Sequence, residues 1–470
     1  MSRSKTKPLL EAVLITDVAA EGKALGHLNG MVVFVTQCVP GDIVDVQVIR
    51  KRKRFMEGYP VKFHKYSENR SKPFCTHFGV CGGCKWQHLP YAEQVAYKQR
   101  QVKDMLERIG RVNPGTVLPA LGSEKQTGYR NKLEYTFSNN RWLTTAEIQS
   151  GDHGIERRGL GFHIPGRFDK VLDIRECYLQ PEPSNRIREF VKQYALDHSL
   201  EFFDLINQQG LLRNLTIRNN LKGEVMVIVS FFKREMEPIN KLLNELSQNF
   251  PEIASLMYVI NGKANDTLND LTVELFNGAD HLIEEMEDLK FRISPKSFFQ
   301  TNTAQAHRLY SVVRDFAALN GSETVYDLYT GTGTIALFLA KHSRHITGIE
   351  YVDEAIADAK INADLNQIAN ASFFAGDIRA ILTPGFISAQ GHPDVIITDP
   401  PRNGMHADVV KAISEAAPSR IVYVSCNPAT QARDIEMLSD RYTVLKSQPV
   451  DMFPFTHHVE NVALLSLKNG

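Results

Sequence analysis

The sequence lacks long apolar segments. No stretch approaches the roughly 18 consecutive apolar residues that a membrane-spanning helix needs. The first residues, MSRSKTKPLLEAVL, also contain no extended apolar core of the kind found in secretion signals. We therefore expect neither a secreted nor a membrane-spanning protein, and we predict a cytoplasmic location.

Cysteine is also scarce. The chain has 6 cysteines among 470 residues, which does not suggest a disulfide framework in so long a protein. In a reducing compartment, clustered thiols more often bind metal or take part in chemistry. The remaining composition, 43% hydrophobic and 23% charged residues, is ordinary for a folded protein, and the length suffices for two or three domains.

The chain has no net charge, but its charges are unevenly distributed. Residues 1–110 contain 18 Lys and Arg against 10 Asp and Glu, a net charge of +8, so residues 111–470 carry −8. The most basic stretch is RKRKR, from Arg50 to Arg54. Such a run is commonly a solvated loop, but a basic N-terminal part on an otherwise acidic chain favours a polyanionic partner.

Three units are predicted along the chain, with the boundaries 1–66, 67–290 and 291–470. In the first, strand-like segments separated by Pro40-Gly41 predict an OB-like β-barrel over about residues 8–66 that can bind a nucleic acid backbone. The second unit contains a cysteine-rich loop, a helix ending near Gly110, and mixed strands and helices. In the third, strands alternate with helices, which predicts an α/β fold with a parallel sheet.

A glycine-rich turn opens the predicted cofactor site. Gly331 to Ala336 (GTGTIA) fits the G-x-G-x-x-A pattern of a Rossmann unit, so a nicotinamide- or flavin-dependent oxidoreductase is one alternative. Asp327 ends the preceding strand, where an acid can receive a cationic amino group, which fits S-adenosylmethionine better than a pyrophosphate. Glu350 ends the next strand, where an acid can bind ribose hydroxyls. Asp377 follows at the third, either as an adenine contact or as a helix N-cap.

The segment PDVIITDPPRNG (393–404) indicates the reaction. A buried strand ends at Asp399, and two prolines then force an extended turn. An acid followed by Pro-Pro at this place is typical of methyl transfer to a nucleobase. Enzymes that methylate amino groups require an aromatic residue after the prolines, and Arg402 at that position argues against adenine N6 chemistry.

Cys426 follows another short strand, in the segment SCNP. It is either a small core residue or a nucleophile. C5 of uracil accepts a methyl group only after a thiolate has added to C6, which is covalent catalysis. That chemistry also needs a base, and Glu460, His457 and His458 are the alternatives, which residue type does not separate.

Five segments of the C-terminal part together resemble the RNA uracil-C5 methyltransferase family. They are SPKSFFQTN (294–302), DLYTGTGT (327–334), DPPRNG (399–404), SCNP (425–428) and HHVENVALL (457–465). The resemblance implies a Rossmann-like class I methyltransferase domain in which Cys426 is the nucleophile and Glu460 the base. It also implies an S-adenosylmethionine pocket. The residues implied to line it are Gln300, Tyr329, Thr334, Glu350, Asp377 and Asp399, with Thr334 standing where the family often has Asn.

The loop CTHFGVCGGC predicts a metal site. Cys75, Cys81 and Cys84 follow a C-x5-C-x2-C pattern in a glycine-rich context. The spacing leaves open zinc, completed by His77 or His88, and an iron–sulfur cluster, completed by a distant cysteine. The resemblance implies the second, because the ribosomal-RNA branch of the family carries a [4Fe-4S] cluster whose last cysteine has a C-x-L context like that of Cys177.

The same branch implies the substrate and the N-terminal domain. It typically carries an RNA-binding TRAM barrel, which residues 1–66 resemble, so we expect a 23S ribosomal RNA substrate. A tRNA methyltransferase and a non-catalytic RNA-binding assembly factor are the alternatives. Arg130 and Lys132 are candidate RNA contacts or residues of a solvated strand, and Cys38 is expected in the barrel core. No obligate protein partner is implied, and we expect a monomer.

Overall fold

The computed structural model describes residues 7–468. The first strands are β1 (Leu9–Val18), β2 (Ala24–Leu28), β3 (Met31–Val35), β4 (Ile43–Lys51) and β5 (Phe55–Lys65), with a short 3-10 turn (Ala20–Gly22) after β1. They close into a barrel in the order β1-β2-β3-β5-β4. Alternating valines such as Val33 and Val44 fill its interior, and Cys38 lies in the same core, as predicted. The basic run, Arg50 to Arg54, is exposed around the β4–β5 turn.

One long helix and one two-residue strand follow the cysteine loop, which has no regular secondary structure. They are α1 (Tyr91–Arg108) and β6 (Thr116–Val117). One face of α1 is buried, including the polar residues Gln94 and Lys98. Unpaired buried polar groups are costly, so we expect specific partners for both of these side chains.

A seven-stranded sheet forms the middle of the chain. Its elements are β7 (Lys132–Ser138), α2 (Thr145–Gln149), β8 (Gly159–Ile164), β9 (Arg167–Asp173), α3 (Ser184–Asp197), β10 (Leu212–Asn219), β11 (Val225–Phe231), α4 (Met236–Asn249), β12 (Ile253–Ile260) and β13 (Val273–Gly278). The strand order is β13-β12-β11-β10-β7-β8-β9, and only β11 and β12 run parallel. A separate hairpin follows, β14 (Leu282–Met286) and β15 (Leu289–Ile293).

The last unit is a doubly wound sheet. Its elements are α5 (Thr303–Ala317), β16 (Thr324–Leu328), α6 (Thr334–Ala340), β17 (His345–Glu350), α7 (Asp353–Leu365), β18 (Ala371–Ala375), α8 (Ile378–Ile381), α9 (Pro384–Gln390), β19 (Val395–Thr398), α10 (Ala407–Ala416), β20 (Arg420–Ser425), α11 (Pro428–Leu438), β21 (Tyr442–Val450) and β22 (Glu460–Leu467). The order is β18-β17-β16-β19-β20-β22-β21-β6. The first five strands of that order run parallel, which confirms the predicted α/β fold class.

The strand order of this sheet reverses between β16 and β19. Chain connections from these two strands leave toward opposite edges, so a crevice opens at their carboxyl ends. The Asp399 amide donates to the carbonyl of Leu328 across this point, 3.3 Å away, which holds the two strand ends side by side. Because β16 to β19 run parallel, the predicted cofactor residues that follow them lie at the same edge of the sheet as this crevice.

Residues before the central sheet contribute to the last sheet as well. β6 pairs with β21 at its edge, and α1 packs against α11. Both β6 and α1 thus belong to the predicted second unit by sequence but lie against the sheet of the third. The predicted boundaries at residues 66 and 290 therefore stay predictions. No helix within residues 7–468 is both long enough and apolar enough to cross a membrane.

Candidate active site

The glycine-rich turn after β16 leaves open space at the crevice. Tyr329, Gly331 and Gly333 have φ angles of 64°, 56° and 77°, in the left-handed region that favours glycine. A Cβ on Gly331 would meet no atom within 4 Å, whereas one on Gly333 would lie 3.0 Å from the Ala359 side chain. Gly331 therefore faces room for a ligand, and Gly333 allows α6 to pack closely against α7.

Asp327 is buried at the end of β16, and its two carboxylate oxygens differ in their hydrogen bonding. Its Oδ2 accepts a hydrogen bond from the Thr330 hydroxyl at 2.6 Å. Its Oδ1 has no hydrogen-bond partner among residues 7–468. Burial and the neighbouring Glu350 raise the pKa of Asp327 to about 7. A buried carboxylate oxygen without a partner calls for a donor or a cation from a bound molecule.

Glu350 and Asp377 end the next two strands in different environments. Glu350 accepts backbone N–H bonds from Gly331 at 3.2 Å and from Val352 at 3.1 Å. Asp377 caps the N-terminus of α8 and forms an ion pair with Arg379, which lowers its pKa to about 2. The N-cap alternative for Asp377 is thus present in the structure, while its contact with adenine stays a prediction.

Gln300 precedes α5 in the chain, and Thr334 follows it. Gln300 is 9% exposed in the segment before α5, and its carbonyl accepts from the Asn131 side chain at 2.9 Å. Thr334 begins α6, and its hydroxyl lies 3.2 Å from the hydroxyl of Tyr310. Tyr310, a buried residue of α5, was not predicted from the sequence. The only sequence signal was its position, seven residues after the start of an apolar helix, and that position is typical of any core residue.

Cys426 and Glu460 face each other across two antiparallel strands. Ser425, the last residue of β20, pairs with Asn461 of β22. Continuing this register by one residue places Cys426 opposite Glu460, the first residue of β22. Cys426 is half-buried, and Glu460 is 7% exposed. The structure therefore brings together the predicted nucleophile and one of the predicted bases.

Three acidic or thiol groups share this end of the sheet with one arginine. Burial, Glu460 and Asp399 raise the pKa of the Cys426 thiol to about 11, and the positive charge of Arg402 opposes that rise. Burial and Asp399 raise the pKa of Glu460 to about 8, and burial raises that of Asp399 to about 7. The site thus favours added positive charge, because each of its acids is held above its usual pKa.

Arg402 lies beside Cys426, and the sequence predicted no contact for it. Its positive charge lies close enough to Cys426 to lower the pKa of that thiol, and its guanidinium lies 3.4 Å from His458 Nδ1. Its carbonyl accepts from the side chains of Asn427 at 3.0 Å and Thr430 at 3.2 Å. The only sequence signal was a cation directly after Asp-Pro-Pro. That signal did not show which group the cation would meet.

The two histidines before Glu460 are poor proton acceptors. Their rings lie 4.1 Å apart between centroids. Burial lowers the pKa of His457 to about 3 and that of His458 to about 4, with further lowering by nearby cations such as Arg402. Both are therefore neutral near pH 7 with little tendency to gain a proton.

The four predicted metal-binding cysteines line one cavity of about 730 Å³; they are Cys75, Cys81, Cys84 and Cys177. Burial raises the pKa of Cys81 to about 11 and that of Cys84 to about 12, and neighbouring thiols of the set contribute to both. However, within residues 7–468 no three His, Cys, Asp or Glu side chains are arranged to hold a metal ion. The thiols are gathered, but the structure does not support the metal assignment.

The histidines of the zinc alternative already have partners in the protein. The Arg175 amide donates to His77 Nε2 at 3.0 Å. His88 Nε2 lies 3.2 Å from the carbonyl of Cys38. Arg130 and Lys132 border the same cavity as the cysteines, and Arg130 also lies over the Phe453 ring at 5.6 Å. Contact of these two cations with RNA stays a prediction.

Comparison with known proteins supports methyl transfer. The model of the family described as tRNA (Uracil-5-)-methyltransferase matches residues 206–377 and 389–468, and that of the TRAM domain matches residues 11–61. A protein of Bacteroides thetaiotaomicron described as an uncharacterized RNA methyltransferase is 57% identical over 454 residues, covering 96% of this chain and all of the relative. A protein of Porphyromonas gingivalis with the same description is 56% identical, covering 96% of this chain and 98% of the relative.

A solved structure extends the likeness to three dimensions. The tRNA (uracil-54, C5)-methyltransferase of Pyrococcus abyssi, in complex with S-adenosyl-L-homocysteine, aligns with a TM-score of 0.73 and 28% identity, covering 96% of this chain and 99% of that one. These matches favour methyl transfer over the oxidoreductase that the glycine-rich turn alone left open. The chain belongs to the tRNA (uracil-5-)-methyltransferase family, and it is an S-adenosylmethionine-dependent RNA uracil-C5 methyltransferase with an N-terminal TRAM domain.

Proposed function

We propose that the protein methylates C5 of a uridine in 23S ribosomal RNA through a covalent bond between Cys426 and C6 of the base. The observation that carries the chemistry is the register of β20 and β22, which places Cys426 opposite Glu460. Asp399 and Arg402 lie beside them, at the crevice where ligands of such sheets bind. The target base leaves its stack to reach Cys426, at a cost of roughly a few kcal/mol that contacts with RNA must offset.

In the first step, Cys426 acts as the nucleophile. The positive charge of Arg402 stabilises the thiolate against the acids nearby. The thiolate forms a bond to C6, and the electrons of the C5–C6 double bond move into an enolate that makes C5 nucleophilic. S-adenosylmethionine supplies the methyl group, which C5 takes from its sulfonium.

In the second step, Glu460 acts as the base. It takes the proton from C5, the electrons of that C–H bond restore the C5–C6 double bond, and the C6–S bond breaks to return the thiolate to Cys426. A raised pKa of about 8 suits Glu460 to this role. His457 and His458 would accept the proton poorly, because their pKa values are lowered to about 3 and 4.

The cofactor-binding roles follow from position along the crevice. Asp327 offers an unpartnered oxygen to a cationic amino group, and Glu350 keeps lone pairs for ribose hydroxyls beyond its two backbone bonds. We assign the remaining contacts as the resemblance implies; they are Gln300, Tyr329, Thr334, Asp377 and Asp399. The raised pKa of Asp399, about 7, favours a nearby sulfonium.

A tRNA is the second candidate substrate. The Pyrococcus abyssi enzyme, whose name specifies uracil 54 of a tRNA, covers nearly all of this chain. The alignment over nearly the whole chain therefore does not by itself discriminate between ribosomal RNA and transfer RNA as the substrate. The proposal of 23S ribosomal RNA is supported by the cysteines, which gather at one cavity as the ribosomal branch implies.

Unmodified transcripts distinguish the two substrates. We expect 5-methyluridine to form in 23S ribosomal RNA with a kcat/KM at least about tenfold above that for a tRNA pool, measured by mass spectrometry of digested RNA. Predominant methylation of tRNA would replace the proposal with the second candidate. No methylation of either RNA by a folded, cofactor-binding protein would favour the assembly-factor alternative.

We also propose, as the resemblance implies, that the four cysteines lining this cavity hold a [4Fe-4S] cluster. The backbone amides of Gly83 and Leu179 lower the pKa values of Cys81 and Cys177, and the Gln87 side chain lowers that of Cys84, against the rise that burial causes. Such donors stabilise thiolates, and N–H bonds to sulfur are among the features that tune iron–sulfur sites. Cys75, Cys81, Cys84 and Cys177 would hold the cluster, with a structural role between the RNA-facing and catalytic units.

Metal analysis tests the cluster. Protein purified without air is expected to be brown and to contain about four iron and four sulfide per chain. Cys177→Ser should lower both contents by more than half, whereas Cys38→Ala, a change at the cysteine in the barrel core, should leave them unchanged. One zinc per chain and no sulfide would contradict the cluster and leave the methyltransferase assignment intact.

A further inference from the structure

The segment that leads into Glu460 is held by a buried ion pair. Lys98 of α1 and Asp451 are both fully buried, and the Lys98 ammonium donates to Asp451 Oδ1 at 2.5 Å. Tyr91, also on α1, donates to Asp451 Oδ2 at 2.8 Å. An ion pair without solvent contact is costly unless further hydrogen bonds satisfy both charges, so its presence indicates a positional demand.

The same helix fixes the residues that follow Asp451. Lys98 donates to the carbonyl of Phe453 at 3.1 Å, and the Phe453 amide donates to Asp451 at 3.0 Å. The Phe455 amide donates to the side chain of Gln94 at 2.9 Å. Tyr91, Gln94 and Lys98 are spaced by three and four residues, so they form one stripe along α1 that faces this segment.

The two residues directly after the cysteine loop also contact the segment. The amides of Lys85 and Trp86 both donate to the carbonyl of Phe455, at 2.8 and 3.0 Å. Phe455 has a φ angle of 63°, a conformation that a non-glycine residue keeps only where its surroundings impose it. Only four residues, ending at Val459, separate Phe455 from Glu460, so these contacts restrict the position of Glu460.

We infer that Lys98 and Asp451 are positioning residues for proton removal: they fix residues 451–455 so that Glu460 stays opposite Cys426 after the methyl group has been transferred. The inference rests on the proposed role of Glu460. Neither residue touches the reacting atoms. Addition of Cys426 to the uracil ring, and the methyl transfer to C5 that follows, depend on β20, on the crevice and on Arg402. The pair therefore affects release of the product more than formation of the covalent complex.

A variant without either charge separates positioning from stability. In Lys98→Met, Asp451 is left as an unpaired buried charge, so folding itself can suffer. The double variant Lys98→Met/Asp451→Leu removes both charges and is expected to melt within a few degrees of the wild type. Its methyl transfer in a single turnover should stay within about threefold of the wild-type rate, while release of methylated RNA slows at least about tenfold and the covalent complex accumulates on a denaturing gel.

Two tyrosines of α1 provide a matched pair for a smaller change. Tyr91→Phe removes one donor to Asp451, whereas the hydroxyl of Tyr97 makes no hydrogen bond within residues 7–468. Release is expected to slow about threefold or more in Tyr91→Phe and to stay unchanged in Tyr97→Phe. If both the double variant and Tyr91→Phe release product at the wild-type rate, the inference is wrong. The Tyr91→Phe result decides alone if the double variant does not fold.

Glu460→Gln in the same assay separates this inference from the proposed function. If Glu460→Gln accumulates the complex and the Lys98, Asp451 and Tyr91 variants do not, only the positioning inference fails. If Glu460→Gln releases product as fast as the wild type, the assignment of the base fails, and the inference fails with it.

Discussion

Replacing Cys426 with alanine is expected to lower methyl transfer roughly 10⁴-fold or more, the scale seen when a covalent nucleophile is removed. The reason is chemical: without a thiolate on C6, C5 of uracil remains too poor a nucleophile to take a methyl group. Transfer of labelled methyl groups to RNA measures the loss. With 5-fluorouridine RNA and S-adenosylmethionine, the wild type should form a stable protein–RNA adduct, because fluorine does not leave as a proton does, and Cys426→Ala should form none.

Cys38→Ala is the matched control, because it removes a cysteine from the barrel core, distant in sequence and fold from β20. It should retain both turnover and adduct formation. S-adenosylmethionine binding by Cys426→Ala should remain close to that of the wild type, since no predicted cofactor residue depends on the thiol. A Cys426→Ala protein that still methylates RNA would contradict the covalent mechanism.

The charges of the site predict that the Cys426 thiolate forms more readily when the methyl donor is bound. The pKa of the Cys426 thiol is raised to about 11 by burial and by Glu460 and Asp399, so the free protein holds little thiolate at neutral pH. A cationic methyl donor at the crevice would offset the acids and favour the thiolate. The nucleophile would then form mainly when the methyl donor is in place, which limits unproductive addition to RNA.

The positions of the acids at the crevice were predictable because they follow a repeated local pattern. Asp327, Glu350 and Asp399 each follow a short apolar strand, and parallel strands in a doubly wound sheet bring their carboxyl ends to one edge. The barrel was predictable in the same way, from alternating valines and a Pro-Gly turn. In both cases the sequence period matches the element that forms.

Features that depend on packing between distant segments were not predictable. β6 has only two residues, too few for any alternation, yet it extends the last sheet. The position of Arg402 beside Cys426 depends on the start of α11, because the side chains of the N-cap residue Asn427 and of Thr430 in the first turn donate to the Arg402 carbonyl. Likewise Lys98 belongs to a helix whose sequence is polar, and only the structure shows that its inner face meets Asp451, more than 350 residues away.

Glu460→Gln is expected to stop the reaction after methyl transfer. Glutamine keeps the size of the side chain and its capacity for hydrogen bonds, but it does not take the C5 proton. The methylated covalent complex should therefore accumulate on ordinary uridine RNA, visible as a slow band on a denaturing gel and by its mass. Turnover should fall about 10²- to 10⁴-fold, the usual contribution of a general base.

The pH dependence of release gives this variant a second readout. A base whose pKa is raised to about 8 accepts a proton only in its ionised form, so wild-type release should rise with pH and level off above about pH 8. Glu460→Gln should lose that rise.

His457→Gln and His458→Gln are the controls for the choice of base. Their pKa values, lowered to about 3 and 4, leave them neutral across this range, so both variants should keep the pH dependence and turn over without trapping RNA. A trapped complex in either histidine variant, together with normal release by Glu460→Gln, would transfer the role of base to that histidine. The register of β20 and β22 argues for the opposite result, because it places Glu460, and neither histidine, directly across from Cys426.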